Sequence, residues 1–161
     1  MSKKKKLSFW KIIKYPPQFY YAVGLGPLYG RIVLLLTTSG RKTGLPRVTP
    51  LQYEEIEGKI WIGSARGTKA DWYRNIRADP KVNVRVRDRQ FDGIAEPVSD
   101  PESVADFLEY RYKKHPRFIG FIMSREGVPK TPTRSDLVKH AERKALVVIT
   151  PLTDDQKKVE K

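Results

Sequence analysis

Apolar and polar positions along the chain fall into short blocks with two periods. Arg31 to Thr38 (RIVLLLTT) is apolar almost without interruption and predicts a strand buried on both faces. Val48 to Ile56 predicts a second strand, and Pro50 inside it predicts an edge, a bulge or a ligand-facing point. Glu57-Gly58 predicts a hairpin turn into Lys59 to Ala65 (KIWIGSA), which places Ile60 and Ile62 on one face. Val82 to Arg87 (VNVRVR) alternates strictly, with the valines inward and Asn83, Arg85 and Arg87 outward. Asp88-Arg89 turns the chain into Gln90 to Val98, where Gly93 disturbs the phase and predicts a bulge. Ala145 to Thr150 (ALVVIT) predicts a last buried strand.

Helical spacing appears between these blocks. Thr68 and Asp71 have the spacing of a capping box and predict a helix through Trp72, Tyr73 and Ile76 that stops before Pro80. Ser99 and Glu102, with Pro101 between them, predict a second helix whose apolar face is Val104, Phe107, Leu108 and Tyr112. Arg117 to Pro132 is aromatic, then rich in glycine and proline; its pattern assigns no element, and it could lie over a pocket. Near the start, Leu7 to Lys14 predicts a short amphipathic helix ended by Pro16-Pro17. It either packs on the body or lies in a membrane interface, since its tryptophan and lysines suit both. Residues 1–8 read as a basic tail, 9–29 as an N-terminal cover and 154–161 as a frayed end. The sum is about six mainly antiparallel strands with inserted helices, an α+β domain arranged as a small barrel rather than a doubly wound sheet.

Composition narrows the partner. The 161 residues suit one domain. Lys and Arg number 32 against 18 acids, a net charge of +14. Such a surplus points to nucleic acid, an acidic membrane surface or a polyanionic small ligand, unless it is only a solvated basic surface. The absence of cysteine excludes disulfides and thiolate chemistry, and two histidines do not suggest a metal site. The longest apolar run, Ile32 to Leu36, is too short to cross a bilayer, and no signal-peptide core follows the first lysines. The expectation is a cytoplasmic protein, in which any membrane contact would come through the N-terminus.

Candidate chemistry gathers in two loops. In Thr38-Ser-Gly-Arg-Lys-Thr-Gly-Leu-Pro-Arg47, three fixed cations, Arg41, Lys42 and Arg47, lie within seven residues. The loop lacks the GxxxxGK[ST] spacing, so it is not a nucleotide-hydrolysing P-loop. Ser64-Ala-Arg-Gly-Thr68 ends a strand just before a helix and predicts a second anion site, built from backbone amides and Arg66. Two such sites at strand ends suit one extended anionic ligand. Trp72, Tyr73 and Asn75 follow closely, and asparagine is a poor helix former that needs a reason to be there. No Ser-His-Asp set is legible, and His115 reads as a surface residue. An enzyme built this way takes its hard chemistry from a cofactor. Arg85, Arg87 and Arg89 could track a phosphate backbone, but no nucleic-acid motif accompanies them, and nucleic acid is not the expected partner.

Leu36 to Leu51, then Ser64 to Gly67, then Asp71 to Val82 resemble the deazaflavin-dependent nitroreductase family of the split β-barrel flavin-binding superfamily. The resemblance implies a split β-barrel, often paired as a homodimer, that binds coenzyme F420, an 8-hydroxy-5-deazaflavin with an anionic phosphate and oligoglutamate tail. It implies Arg41, Lys42, Thr43 and Arg47 around the phosphate and tail, and Val48, Thr49 and Pro50 beside the ring. It further implies Gly63, Ser64, Ala65 and Arg66 wrapping ring and phosphate, and Asp71, Trp72, Tyr73, Arg74 and Asn75 closing the other side. The reaction implied is hydride transfer from the reduced deazaflavin to a small quinone, enone or nitroaromatic, with Tyr53, Tyr110 and Tyr112 as candidate proton donors. Gln52 and Ala65 depart from the nitro-activating pattern, which has an aromatic and a serine there. The alternatives are a split barrel that binds FMN or haem, and a cofactor-free basic module for nucleic acid or membrane.

Overall fold

A computed structural model describes residues 33–153. The N-terminal tail, the amphipathic helix, the cover and the C-terminal tail lie outside the described residues.

The strands are β1 (Val33–Ser39), β2 (Pro46–Gln52), β3 (Glu54–Ile56), β4 (Lys59–Ser64), β5 (Lys81–Val86), β6 (Arg89–Val98) and β7 (Ala145–Pro151). They form one sheet in the order β2-β1-β5-β6-β7-β4-β3, antiparallel throughout. The run expected as one strand from Val48 to Ile56 is therefore two. β2 pairs with β1 at one edge and β3 pairs with β4 at the other. Only Tyr53 separates them, so the sheet must curl until its two edges nearly meet. This curl makes the half-open barrel.

Three hairpins set the local register. Glu57 and Gly58 both take positive φ (51° and 75°), as a two-residue turn of the primed type requires. The β5–β6 turn is Arg87-Asp88, one residue earlier than expected, with Arg87 at φ 54°. Gly93 is not a bulge, because its register against Val82 and Pro151 runs unbroken. A Cβ there would sit 2.7 Å from Ile149 Cγ2 and 3.0 Å from the Thr150 carbonyl oxygen, so the glycine allows close packing of β6 on β7.

The sheet is covered on both faces. One core gathers Leu34, Leu36, Ile60, Ile62, Val82, Val84, Val86, Val147 and Ile149 around Trp72, Tyr73 and Ile76 of helix α1 (Asp71–Ala78). The other holds Leu146 and Trp61 against α2 (Pro101–Lys114), α3 (Pro116–Arg125) and α4 (Arg134–Ala141). Alternate residues of β7 feed the two cores, which is why that strand is a continuous apolar run.

Two expected caps moved. A 3-10 turn at Gly67–Lys69 precedes α1, which has no side-chain cap, so Thr68 does not start the helix. Asp100, not Ser99, caps α2 by accepting from the Ser103 amide at 2.9 Å. The stretch whose pattern assigned no element contains most of α3. Its Pro116 stands at the first turn, and Gly120 lets the Tyr112 ring approach to 3.3 Å of where a Cβ would be. No helix among the described residues is long and apolar enough to cross a membrane.

Candidate functional site

The basic loop is closed by its own backbone. The Gly40 amide donates to the Leu45 carbonyl at 2.8 Å, and the Thr43 and Gly44 amides donate to the Gly40 carbonyl at 3.1 and 2.6 Å. Leu45 N donates to Thr43 Oγ1 at 3.3 Å. Gly44 takes φ 68°, and a Cβ on Gly40 would lie 3.0 Å from Thr43 Oγ1, so both glycines are required by the turn. With these amides engaged internally, an anion would be gripped by side chains.

Asn75 explains its place in the helix. It is 4% exposed, and its Oδ1 accepts from Arg41 N at 3.2 Å and Arg41 Nη1 at 3.1 Å. Its Nδ2 donates to Thr38 Oγ1 at 3.1 Å. One side chain thus ties α1 to the end of β1 and to the start of the turn that follows it. Arg41 Nη2 also pairs with Asp71 Oδ1 at 3.0 Å, and this holds the Asp71 carboxyl below the usual aspartate range. Arg74 and Arg66 add smaller contributions of the same sign.

Arg41 is therefore a braced wall, while Lys42 and Arg47 carry no ion pair with another described residue. They open onto a cleft of about 520 Å³ with Thr43, Val48 and Thr49 on one side and Asp71, Trp72 and Asn75 on the other.

A family model described as F420H(2)-dependent quinone reductase matches residues 20–123. The chain belongs to this family. An F420H(2)-dependent quinone reductase of Mycobacterium tuberculosis is 36% identical over 74 residues, 43% of this chain and 50% of that protein. The chain thus spans about half the length of the curated relatives it matches. Among solved structures, a conserved hypothetical protein of Mycobacterium tuberculosis aligns with TM-score 0.56 at 19% identity, covering 81% of this chain and 80% of that one. An F420-H2 dependent reductase aligns with TM-score 0.50 at 24% identity, covering 73% and 94%. These two likenesses bear on the fold alone, the α+β split β-barrel.

This family member does not bring all the expected residues to one cavity. Gly63, Ser64 and Ala65 line a smaller space of about 140 Å³, walled by Phe107, Ile119 and Met123. Ser64 Oγ donates to the Gly67 carbonyl at 2.7 Å, and the Ala65 carbonyl accepts from Lys144 Nζ at 3.2 Å. Arg66 and Arg74 are exposed. Pro50 is half-buried on the β2 edge opposite Leu35. Tyr73 is 2% exposed, belongs to the apolar core and packs edge-on against Trp72 at 6.1 Å.

The three tyrosines are scattered. Burial pushes the Tyr53 phenol above its usual range despite Arg87 nearby. Tyr112 donates to the Lys130 carbonyl at 2.9 Å, and Tyr110 OH lies 3.4 Å from Lys114 Nζ.

Sequence reading missed a second charged cluster. Glu54 is 7% exposed, and Lys114 Nζ lies 2.8 Å, Arg111 Nε 3.5 Å and His115 Nε2 3.7 Å from its oxygens. Arg111 Nη2 also donates to Gln52 Oε1 at 3.2 Å. Some sixty positions separate Glu54 from these partners (|i−j| = 60 for Lys114), and no local spacing signals such a pairing.

Proposed function

We propose that the chain binds coenzyme F420 and serves hydride transfer from its reduced form to a small electron-poor acceptor, a quinone first. The observation that carries this reading is the cleft in which Lys42 and Arg47 face Trp72 without a competing carboxylate partner among the described residues. A phosphate followed by several glutamates needs more than one fixed cation, whereas FMN brings a single phosphate. The donor set fits: two cations with no ion pair among the described residues, a third braced in place, and a turn held tight by two glycines.

When bound, F420 supplies the hydride from carbon 5 of its reduced ring. The chain supplies position. Lys42 and Arg47 would hold the phosphate and tail, while Asn75 and Asp71 keep Arg41 from collapsing into the cleft. Val48 and Thr49 offer one wall for the ring and Trp72 the other, and the Gly63 to Ala65 backbone lies beyond the end of β2. Burying the ring between such walls excludes water from the reacting carbon.

Fluorescence titration tests the reading. Saturable F420 binding at micromolar or tighter levels is the expected outcome, roughly −8 kcal/mol. Tight FMN or haem binding with no F420 saturation would favour the alternative cofactors. The same reading carries a cytoplasmic homodimer, checked by analytical ultracentrifugation, with residues 7–14 as the segment that would meet a membrane, checked by vesicle flotation.

A further inference from the structure

Helix α3 is apolar on two sides. Ile119 and Met123 point inward and are buried in the core shared with α2 and α4. On the other side Phe118 and Phe121 are 50% and 59% exposed. With about 3.6 residues per turn, Arg117, Phe118, Phe121, Ser124 and Arg125 fall on one arc of the helix, and all five are exposed. Tyr110, also exposed, extends the aromatic surface onto α2. One exposed ring would need no explanation, but two phenylalanines side by side between arginines do.

The charge around this arc has one sign. Pro116–Arg125 contains no aspartate or glutamate. Arg117 and Arg125 form no ion pair with another described residue. The Arg125 guanidinium stands 5.6 Å from the centre of the Phe121 ring, and Lys114 Nζ stands 5.5 Å from that of Tyr110. The nearby acids are engaged: Glu109 with Lys113 and Arg134, Glu126 with Lys144 and His140, and buried Glu54 with Lys114. Rings rimmed by uncompensated arginines complement the interface of an anionic bilayer, where rings enter the boundary between headgroups and acyl chains and cations meet phosphates. A second copy of this face would bring like charges together with no acid on α3 to answer them.

We propose that the outer face of α3 docks on an anionic lipid surface, with Phe118 and Phe121 entering the interface and Arg117 and Arg125 contacting lipid phosphates. The contact is peripheral, since no described helix is long and apolar enough to cross a bilayer. Ile119 and Met123 already fix α3 to the body, so the face is preformed and no helix has to fold at the membrane. The arginine stems reach along the rings and keep their charged ends at headgroup level. This face is distinct from residues 7–14 and does not depend on which cofactor the chain binds.

Vesicle flotation of the full chain tests the face. Wild-type protein should partition about tenfold better into phosphatidylcholine vesicles carrying about 30% phosphatidylglycerol than into phosphatidylcholine alone, and the preference should shrink as NaCl rises. Phe121→Ser and the pair Arg117→Gln/Arg125→Gln should each lower partition into the anionic vesicles about tenfold, while Phe121→Trp should keep it. Lys69→Gln/Arg77→Gln removes two exposed cations elsewhere and should leave partition within about twofold of wild type. The chain has no cysteine, so Ser124→Cys takes a single NBD label on the same arc, and its emission should shift to the blue with anionic vesicles. Partition equal in the wild type and both α3 variants, or lowered as much by the Lys69 and Arg77 pair, overturns the docking face. Partition abolished by Trp10→Ser and untouched by Phe121→Ser assigns the contact to residues 7–14 and also overturns it. Unchanged partition in Phe121→Ser, with a dimer turned to monomer in analytical ultracentrifugation, gives the face to a second copy instead. Unchanged partition in the arginine pair, with binding to a DNA duplex lost, gives its cations to nucleic acid.

Discussion

At the scale of single residues, the site depends on which cations are already engaged. Arg41, Lys42 and Arg47 are equivalent in the sequence, but Asp71 and Asn75 hold Arg41. Lys42→Ala or Arg47→Ala should therefore weaken F420 binding by about 1.5–3 kcal/mol in a fluorescence titration, the range of charge-assisted hydrogen bonds. Arg41→Ala should instead lower stability as well, because it leaves the buried Asn75 carbonyl short of a donor. Asn75→Ala removes three hydrogen bonds from a buried position and should cost on the order of 2 kcal/mol by urea denaturation, with loss of cofactor affinity as the turn loosens.

Among elements, packing overrode local signals. Gly93 looks like a disturbance within β6, yet it marks contact with β7 from fifty-odd residues downstream. Gly93→Ala forces a Cβ against Ile149 and the Thr150 carbonyl, and should destabilise the fold by about 1–3 kcal/mol in thermal melts. Helix α3 was hidden by Pro116 and Gly120, both poor interior helix residues. The proline occupies a first-turn position, where its missing N–H costs nothing, and the glycine admits the Tyr112 ring. The helix ends are acid-sensitive. Asp100 caps α2 and Asp136 completes the capping box of Thr133 at the start of α4; both are held below the usual aspartate value of 3.8 by the Ser103 and Thr133 groups they accept from.

For the whole molecule, charge and burial set the response to salt and pH. With a net charge of +14, F420 affinity should fall more steeply than FMN affinity as NaCl rises, since the longer anion engages more cations. Acid should destabilise in two stages. Burial, then Lys144, pushes the His140 imidazole below 6.5, while Glu126 opposes. The unfolded chain therefore takes up that proton first, and the contribution of neutral His140 is full above about pH 6.5 and declines as pH falls toward its lower folded value. The depressed carboxyls of Asp71, Asp100 and Asp136 contribute fully above about pH 4 and lose that contribution below it. Urea midpoints measured from pH 8 to pH 3 should show both falls, with the first reduced in His140→Gln.

The sequence by itself determined the elements made of contiguous residues. Alternation set β5, the unbroken apolar runs set β1 and β7, Glu57-Gly58 set a hairpin, and the glycine-punctuated cations marked the loop beside β1. Its motifs, in order, also carried the family. Only the tertiary structure decided that one predicted strand splits at Tyr53 into both edges of the sheet, that Asp71 and Asn75 brace Arg41 while Lys42 and Arg47 form no ion pair with another described residue, and that Tyr73 is core. It alone brought Glu54 against Arg111, Lys114 and His115. Strand and turn propensities act over a few residues and leave a periodic trace. An ion cluster around a buried carboxylate joins positions far apart in the chain, and its partners are chosen by how the barrel closes and where α2 packs against it.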